Sequence, residues 1–137
     1  VTGSAAIDYS AGNWYSVTTS GSITLAFSNI PAAGNQAFIT VTVTVANIAH
    51  TMTLPAAVGT GASAKSVVGI QGIASNIVKV IAAVDITAGN MVTTVTNAGW
   101  KASGTGTITF DTIGEAVTLM YINSKWFCIG NNGGVFA

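Results

Sequence analysis

Alternation with a period of two runs through most of the chain. In "SITLAF" Ile23, Leu25 and Phe27 fall on one face, and in "FITVTVTVA" Val41, Val43 and Val45 alternate with Thr40, Thr42 and Thr44. Such alternation predicts half-buried strands. The threonines are β-branched too, so both faces favour extended backbone. "TMTLP" and "TITF" are shorter versions, and Pro55 should end the first because proline cannot donate to a ladder. Turn residues are dense between the runs: "AGN" at 11–13 and 88–90, "PAAGN" at 31–35, "GTGAS" at 59–63, "NAG" at 97–99 and "SGTG" at 103–106. Strands this short, separated this often, predict an all-β fold, an antiparallel β-sandwich or jelly roll. The expected organisation is one domain over 1–137, with 1–11 as an N-terminal arm or linker.

Three stretches need separate reading. Between Ser66 and Val84, Ile70, Ile73, Ile77 and Ile81 stand at helical spacing, but Gly69 and Gly72 weaken a helix by about 1 kcal/mol each. Two short strands are expected there. "SITLAFSNIPAAGNQAFITVTV" and "TITFDTIGEAVTLMYI" share a plan of short strand, loop closing on glycine and longer strand, which is read as convergence on β-hairpin grammar. "GEAVTLMYINSKWFCIGNNG" reads as a hairpin turning at Asn123–Ser124. It pairs Ile122 with Lys125, Tyr121 with Trp126, Met120 with Phe127, Leu119 with Cys128 and Thr118 with Ile129. Tyr121, Trp126, Leu119 and Cys128 then share one face, and Met120, Phe127 and Ile129 the other. Neither is a solvent face, so Met120, Phe127 and Ile129 are candidate oligomer contacts.

Composition sharpens that point. Half the residues are apolar and 6% are charged, where about 25% is usual for a soluble domain. Four aspartates and glutamates (Asp8, Asp85, Asp111, Glu115) face four lysines (Lys65, Lys79, Lys101, Lys125), with no arginine. A chain without a basic footprint is not expected to bind nucleic acid or an anionic membrane. No apolar run approaches the roughly 18–20 residues of a spanning helix, so membrane insertion is not expected either. No signal peptide is visible, and a start at Val1 is what a processed product or a piece of a longer protein would show. The sparse charge fits a surface covered in an assembly, with Thr, Ser and Asn supplying polarity.

Catalysis is not expected. His50 is the only histidine, and none of the acids lies within four positions of it, so no base with an orienting acid is apparent. Asp111 and Glu115 are near neighbours in "FDTIGE", but two carboxylates fall short of a calcium shell. Cys128, the one cysteine, excludes an intrachain disulfide and reads as a buried, inert thiol. No phosphate-cradling motif occurs. No cofactor or metal is therefore expected. Trp14, Tyr15 and Trp100 adjoin turns and are the candidate sugar-stacking residues, Trp100 the most exposed. The preferred reading is that such aromatics close the ends of the core.

Parts of the chain resemble a module common in tailed-bacteriophage virion proteins. "GNWYSVTTSGSITLAFSNIPAAGNQAFITVTV" resembles a run G-N-x-x-x-V/L-x-x-x-G-x-x-T/S-L-x-F-S-N leading to P-A-x-G and a Thr/Val-rich strand. "HTMTLPAAV" is similar to the x-T-V-T-W/L-P-x-x-V element that follows, and "ITFDTIGEAVTLMYINSKWFCIGNNG" resembles the G-x-x-V-x-L-x-Y-x-x-x-K-W ending of tail-fibre, head-fibre and decoration proteins. Together these cover residues 12–58 and 107–133, about half the chain. The resemblance implies a non-enzymatic component of the virion surface, a capsid decoration protein or fibre domain. Its partners would be copies of itself, usually as a trimer, and other capsid or tail proteins. The alternative is a carbohydrate-binding host-recognition domain of a fibre tip or a bacterial surface adhesin, which adds a host-surface glycan as partner.

Overall fold

In a computed structural model of the chain, the described residues are 1–31, 36–45, 49–56, 58, 77–86, 89–101, 104–122 and 125–137, without the side chains of 36, 77–79 and 122. They form eleven strands: β1 Gly3–Asp8, β2 Trp14–Thr19, β3 Ile23–Ser28, β4 Gln36–Val45, β5 His50–Leu54, β6 Ile77–Ile86, β7 Met91–Thr96, β8 Thr105–Phe110, β9 Ala116–Ile122, β10 Lys125–Asn132 and β11 Val135–Phe136. Sheet A has the order β1-β3-β5-β7-β8-β11 and sheet B the order β10-β9-β6-β4-β2. The all-β, sandwich-like expectation holds.

The antiparallel and jelly-roll expectation does not. From β1 to β7 the chain alternates between sheets, so each sheet grows by parallel addition: β1, β3, β5 and β7 in A, β2, β4 and β6 in B. Parallel neighbours need a crossover of a dozen or more residues, and here the crossover contains a strand of the opposite sheet. The winding is that of a short two-sheet solenoid. Antiparallel pairing begins at β7–β8 and continues through β6–β9, β9–β10 and β8–β11. The misreading has a physical origin. Period-two alternation fixes which side chains face inward, and a turn of given length serves equally for a hairpin within one sheet or an arch between two.

That distinction explains the two similar segments. β3–β4 and β8–β9 both leave sheet A and enter sheet B. They are arches, not hairpins. The first eleven residues, expected as an arm or linker, supply β1 to the edge of sheet A, with Ala5 and Ile7 in the core. Of the Ser66–Val84 region, 66–76 lie outside the described residues. From Ile77 the chain is one ten-residue strand that runs past Val84 to Ile86. Pro55 follows the last residue of β5, as its missing donor requires.

One core lies between the sheets. Leu25, Met52, Leu54, Met91, Ile108 and Phe110 from sheet A meet Ile39, Val41, Val43, Val80, Leu119 and Trp126 from sheet B, all essentially inaccessible. Sheets stack about 10 Å apart, so these rows interdigitate as one layer. The β9–β10 register matches the sequence expectation from Ile122↔Lys125 through Leu119↔Cys128. Beyond that a bulge intervenes, and Thr118 pairs with Gly130 rather than with Ile129. An unpaired extra residue bends a strand and blunts an edge, and β10 is the edge of sheet B.

Aromatic rings close one end of the core. Trp126 stands edge-on to Tyr121 at 5.2 Å and near Phe27 at 6.2 Å. The Trp126 indole N–H donates to the Pro55 carbonyl at 2.9 Å, and the Tyr121 hydroxyl donates to that of Ala56 at 3.1 Å. Each large apolar body is buried while its polar tip is satisfied, which is how Trp and Tyr enter cores at low cost.

Candidate functional site

Among the described residues, no group of three or more His, Cys, Asp and Glu side chains gathers. His50 opens β5 with its ring in the core. Its Nδ1 lies 2.7 Å from Thr19 Oγ1, and the Thr19 hydroxyl lies 3.4 Å from the Thr44 carbonyl. Nε2 is buried with no hydrogen-bond partner. Closed off from solvent, this imidazole cannot meet a substrate. Asp111 and Glu115 do come together, but to hold an arch: Glu115 Oε2 accepts the N–H groups of Asp111 (2.8 Å) and Thr112 (3.3 Å), and the Thr112 hydroxyl donates to Asp111 Oδ1 at 2.9 Å. Gly114, at φ +89°, completes the turn in a conformation that favours glycine. Cys128 is half-buried, its thiol donating to the Gly130 carbonyl across the bulge at 3.3 Å.

The three aromatic candidates separate. Trp14 begins β2 on the outward face of sheet B and is 71% exposed, its indole N–H reaching Thr42 Oγ1 at 3.4 Å. Tyr15 is half-buried, its hydroxyl donating to the Asp8 carbonyl. Trp100, expected as the most exposed, instead packs edge-on to Phe136 at 5.2 Å and lies over Gly106. A Cβ at Gly106 would stand 2.8 Å from the indole, so that glycine makes the slot. The indole nitrogen is buried without a partner. A glycine six residues on from Trp100 carries no side chain to signal in the sequence that it leaves room for the ring.

The outward face of sheet B carries four of the exposed large apolar residues, Trp14, Phe38, Phe127 and Ile129, whereas Val135 stands on sheet A and Ile113 between β8 and β9. Register carries a row from Phe38 on β4 through Lys79 and Met120 to Phe127 on β10. A second row runs from Trp14 through Thr40 and Ile81 to Thr118. Strands lie about 4.8 Å apart, so each row spans most of the sheet. Phe127 is 37% exposed and Ile129, the extra residue at the bulge, 52%. Met120 shares the face yet is 7% exposed. Part of Phe127's ring rests on Gly99, where a Cβ would overlap it, and the Gly99 N–H donates to the Trp126 carbonyl. The three interface candidates thus share a face with Trp14, which the hairpin alone did not reveal. Phe38 was missed. Its signal was parity: it precedes Thr40, Thr42 and Thr44 on the outward phase of β4 and is the apolar exception there.

No protein-family model, curated protein or solved structure matches the chain.

Proposed function

We propose that the chain is a non-enzymatic structural protein of a bacteriophage virion surface, a capsid decoration protein or fibre domain. It acts by homotrimeric assembly and by attachment to other capsid or tail proteins. The observation that supports this reading is the outward face of sheet B, where Trp14, Phe38, Phe127 and Ile129 stand exposed on strands in lateral register. Large apolar side chains left exposed on one face mark an interaction surface, and a three-fold ring would bring each copy's face against a different surface of its neighbour. The virion assignment itself rests on the resemblance of residues 12–58 and 107–133. Mass photometry of the purified chain tests the assembly: a three-chain species is expected, and a well-folded monomer at micromolar concentration overturns it.

One observation favours a second reading, a carbohydrate-binding host-recognition domain. Trp14 is the most exposed large apolar side chain of the described residues, and its indole, hydrogen-bonded to Thr42, offers a ring for stacking. A glycan array run with the wild type and Trp14→Ala separates the readings. Binding that disappears with the indole supports recognition, whereas an unchanged blank array leaves assembly as the role of this face.

A further inference from the structure

The two ends of the coil stack are finished differently. At the β10/β11 end, β10 carries a bulge and begins with an exposed lysine, while β11 is two residues long. Those are devices that stop a sheet from growing. At the other end, β1 and β2 each present a six-residue edge with no proline, no lysine and no bulge.

Hydrogen bonds at that open end already trace the next turn of the winding. The Val1 ammonium donates to the Thr18 carbonyl at 2.6 Å, and the Ser20 N–H donates to the Val1 carbonyl at 3.1 Å. One residue bonded to positions j−1 and j+1 in this way is paired in parallel with residue j, here Thr19. Thr19 pairs with Val45 and Val45 with Ile86, so Val1 occupies the next place in a row that crosses sheet B. The chain then turns as the coil beneath it does. Thr2 rests on Gly21, where a Cβ would come 2.8 Å from its methyl group, and the Gly3 N–H donates to the Ser22 carbonyl at 3.1 Å. Side chains of paired residues point to the same side of a sheet, which sets Val1 on the core side with Thr19. It is nonetheless 51% exposed, an apolar residue at a core-side position with only half of its surroundings.

We infer that the β1/β2 end accepts a further parallel strand, one that leads directly into Val1 and lies along β2. This is independent of the oligomeric role assigned to the outer face of sheet B. The occupant has a defined chemistry. With Val1 opposite Thr19, an added strand would set the positions two and four before Val1 opposite Val17 and Tyr15, on the core side, where apolar side chains fit. The positions one and three before it would stand opposite Thr18 and Ser16, both exposed, where polar side chains fit. The bonding groups are waiting as well. Asn13 uses its carbonyl for Thr40 of β4 at 2.8 Å, so residues of odd number in β2 face β4. Those of even number, Ser16 and Thr18, turn their N–H groups to the free edge.

Two six-residue extensions fused ahead of Val1 test this. They have the same composition, valine and threonine in alternation, and opposite phase. Exchange of the Ser16 and Thr18 amides is followed by NMR, together with the thermal midpoint and the mass of the species. The extension with valine two, four and six positions before Val1 is expected to slow both amides by about tenfold or more and to raise the midpoint. The opposite phase should leave both at the values of the unextended chain. Equal effects from the two phases, or none from either, would overturn the inference. So would an unextended chain whose Ser16 and Thr18 amides become protected only as its mass doubles, since a second copy would then be the natural occupant of that edge.

Discussion

Sheet A and sheet B bury the same kinds of side chain and show solvent different ones. Across sheet A runs a file of hydroxyls in register, Ser4–Thr24–Thr53–Thr94–Thr107, beside a mixed row Thr51–Val92–Thr109–Val135. Threonine suits this position: its branched carbon fits the pleat, its hydroxyl meets water, and cross-strand Thr pairs add about 0.2–1 kcal/mol each. Across sheet B the corresponding register positions hold Trp14, Phe38, Ile81, Met120 and Phe127, interrupted by Thr40, Lys79 and Thr118. Coil winding makes the contrast possible. Each coil adds one strand to each sheet, so equivalent positions of successive coils stack into rows, and the choice of residue at one position becomes the character of a whole face. The inward rows are constrained by packing and the outward rows are free to differ. Function, on this architecture, is written on the outside.

The largest expected effect tests whether the two faces share one interior. Trp126 is fully buried, contacts Phe27 of sheet A and Tyr121 of sheet B, and ties its indole N–H to Pro55. Trp126→Ala should cost about 3–5 kcal/mol in chemical denaturation, in a single transition reported alike by probes on both sheets. Two separated transitions would mean that the faces belong to independently folding layers, and the comparison would lose its basis. The second test sets the faces against each other. If the chain assembles as proposed, Phe127→Asp should dissociate it in mass photometry without unfolding the chain, because Phe127 is already partly in water. Thr24→Asp, the same change on the exposed face of sheet A, should leave the mass unchanged. If Thr24→Asp dissociates the assembly and Phe127→Asp does not, the interacting face has been assigned to the wrong sheet.

Much of this was legible in the residues. The phase of "SITLAF" and "FITVTVTV" gave the buried sets of β3 and β4 correctly, because burial on one side of a pleat leaves a direct trace in the alternation. The hairpin register held for four pairs and then failed at Ile129, since a bulge depends on local backbone geometry that no side-chain pattern encodes. Parallel stacking was illegible for a different reason. Whether Phe27 and Ile39 face each other across a core or lie in one sheet depends on the path of residues 29–35, and "NIPAAGN" is compatible with either. The outward band on sheet B was half legible: Phe127 and Ile129 could be named from the hairpin, but only parallel registry brings Phe38 and Trp14 onto the same face.

A smaller test compares inside with outside along one strand. Thr93 and Thr94 are neighbours on β7. Thr93 is fully buried and its hydroxyl has no hydrogen-bond partner among the described residues, whereas Thr94 joins the outward file. An unsatisfied buried hydroxyl is destabilising, and valine has nearly the same shape without it. Thr93→Val should therefore raise stability by about 1 kcal/mol, and Thr94→Val should shift it by less than about 0.5 kcal/mol. Equal shifts would show that the Thr93 hydroxyl is satisfied in solution and that the inward row is less strictly apolar than described.

The smallest effect belongs to the rim, where arches join the two faces. Asp8 ends β1, and its Oδ1 accepts from the Asn29 amide at 2.9 Å, the Ser10 N–H at 2.9 Å and the Ser10 hydroxyl at 2.7 Å. It thereby pins the β1–β2 arch to the start of the β3–β4 arch. The Asn29 bond chiefly, with the two from Ser10, holds its pKa below the ordinary value of 3.8. A carboxylate with a depressed folded-state pKa contributes stability that is fully present above the unfolded-state value and is lost as pH falls through the folded-state value. The contribution is thus intact at neutral pH and disappears below about pH 4. Asp8 is exposed, so the effect is small and screened by salt. In Asp8→Asn this part of the acid dependence should be absent, while the neutral-pH oligomer mass stays that of the wild type. A changed mass would mean that the rim, and not the sheet B face alone, takes part in assembly.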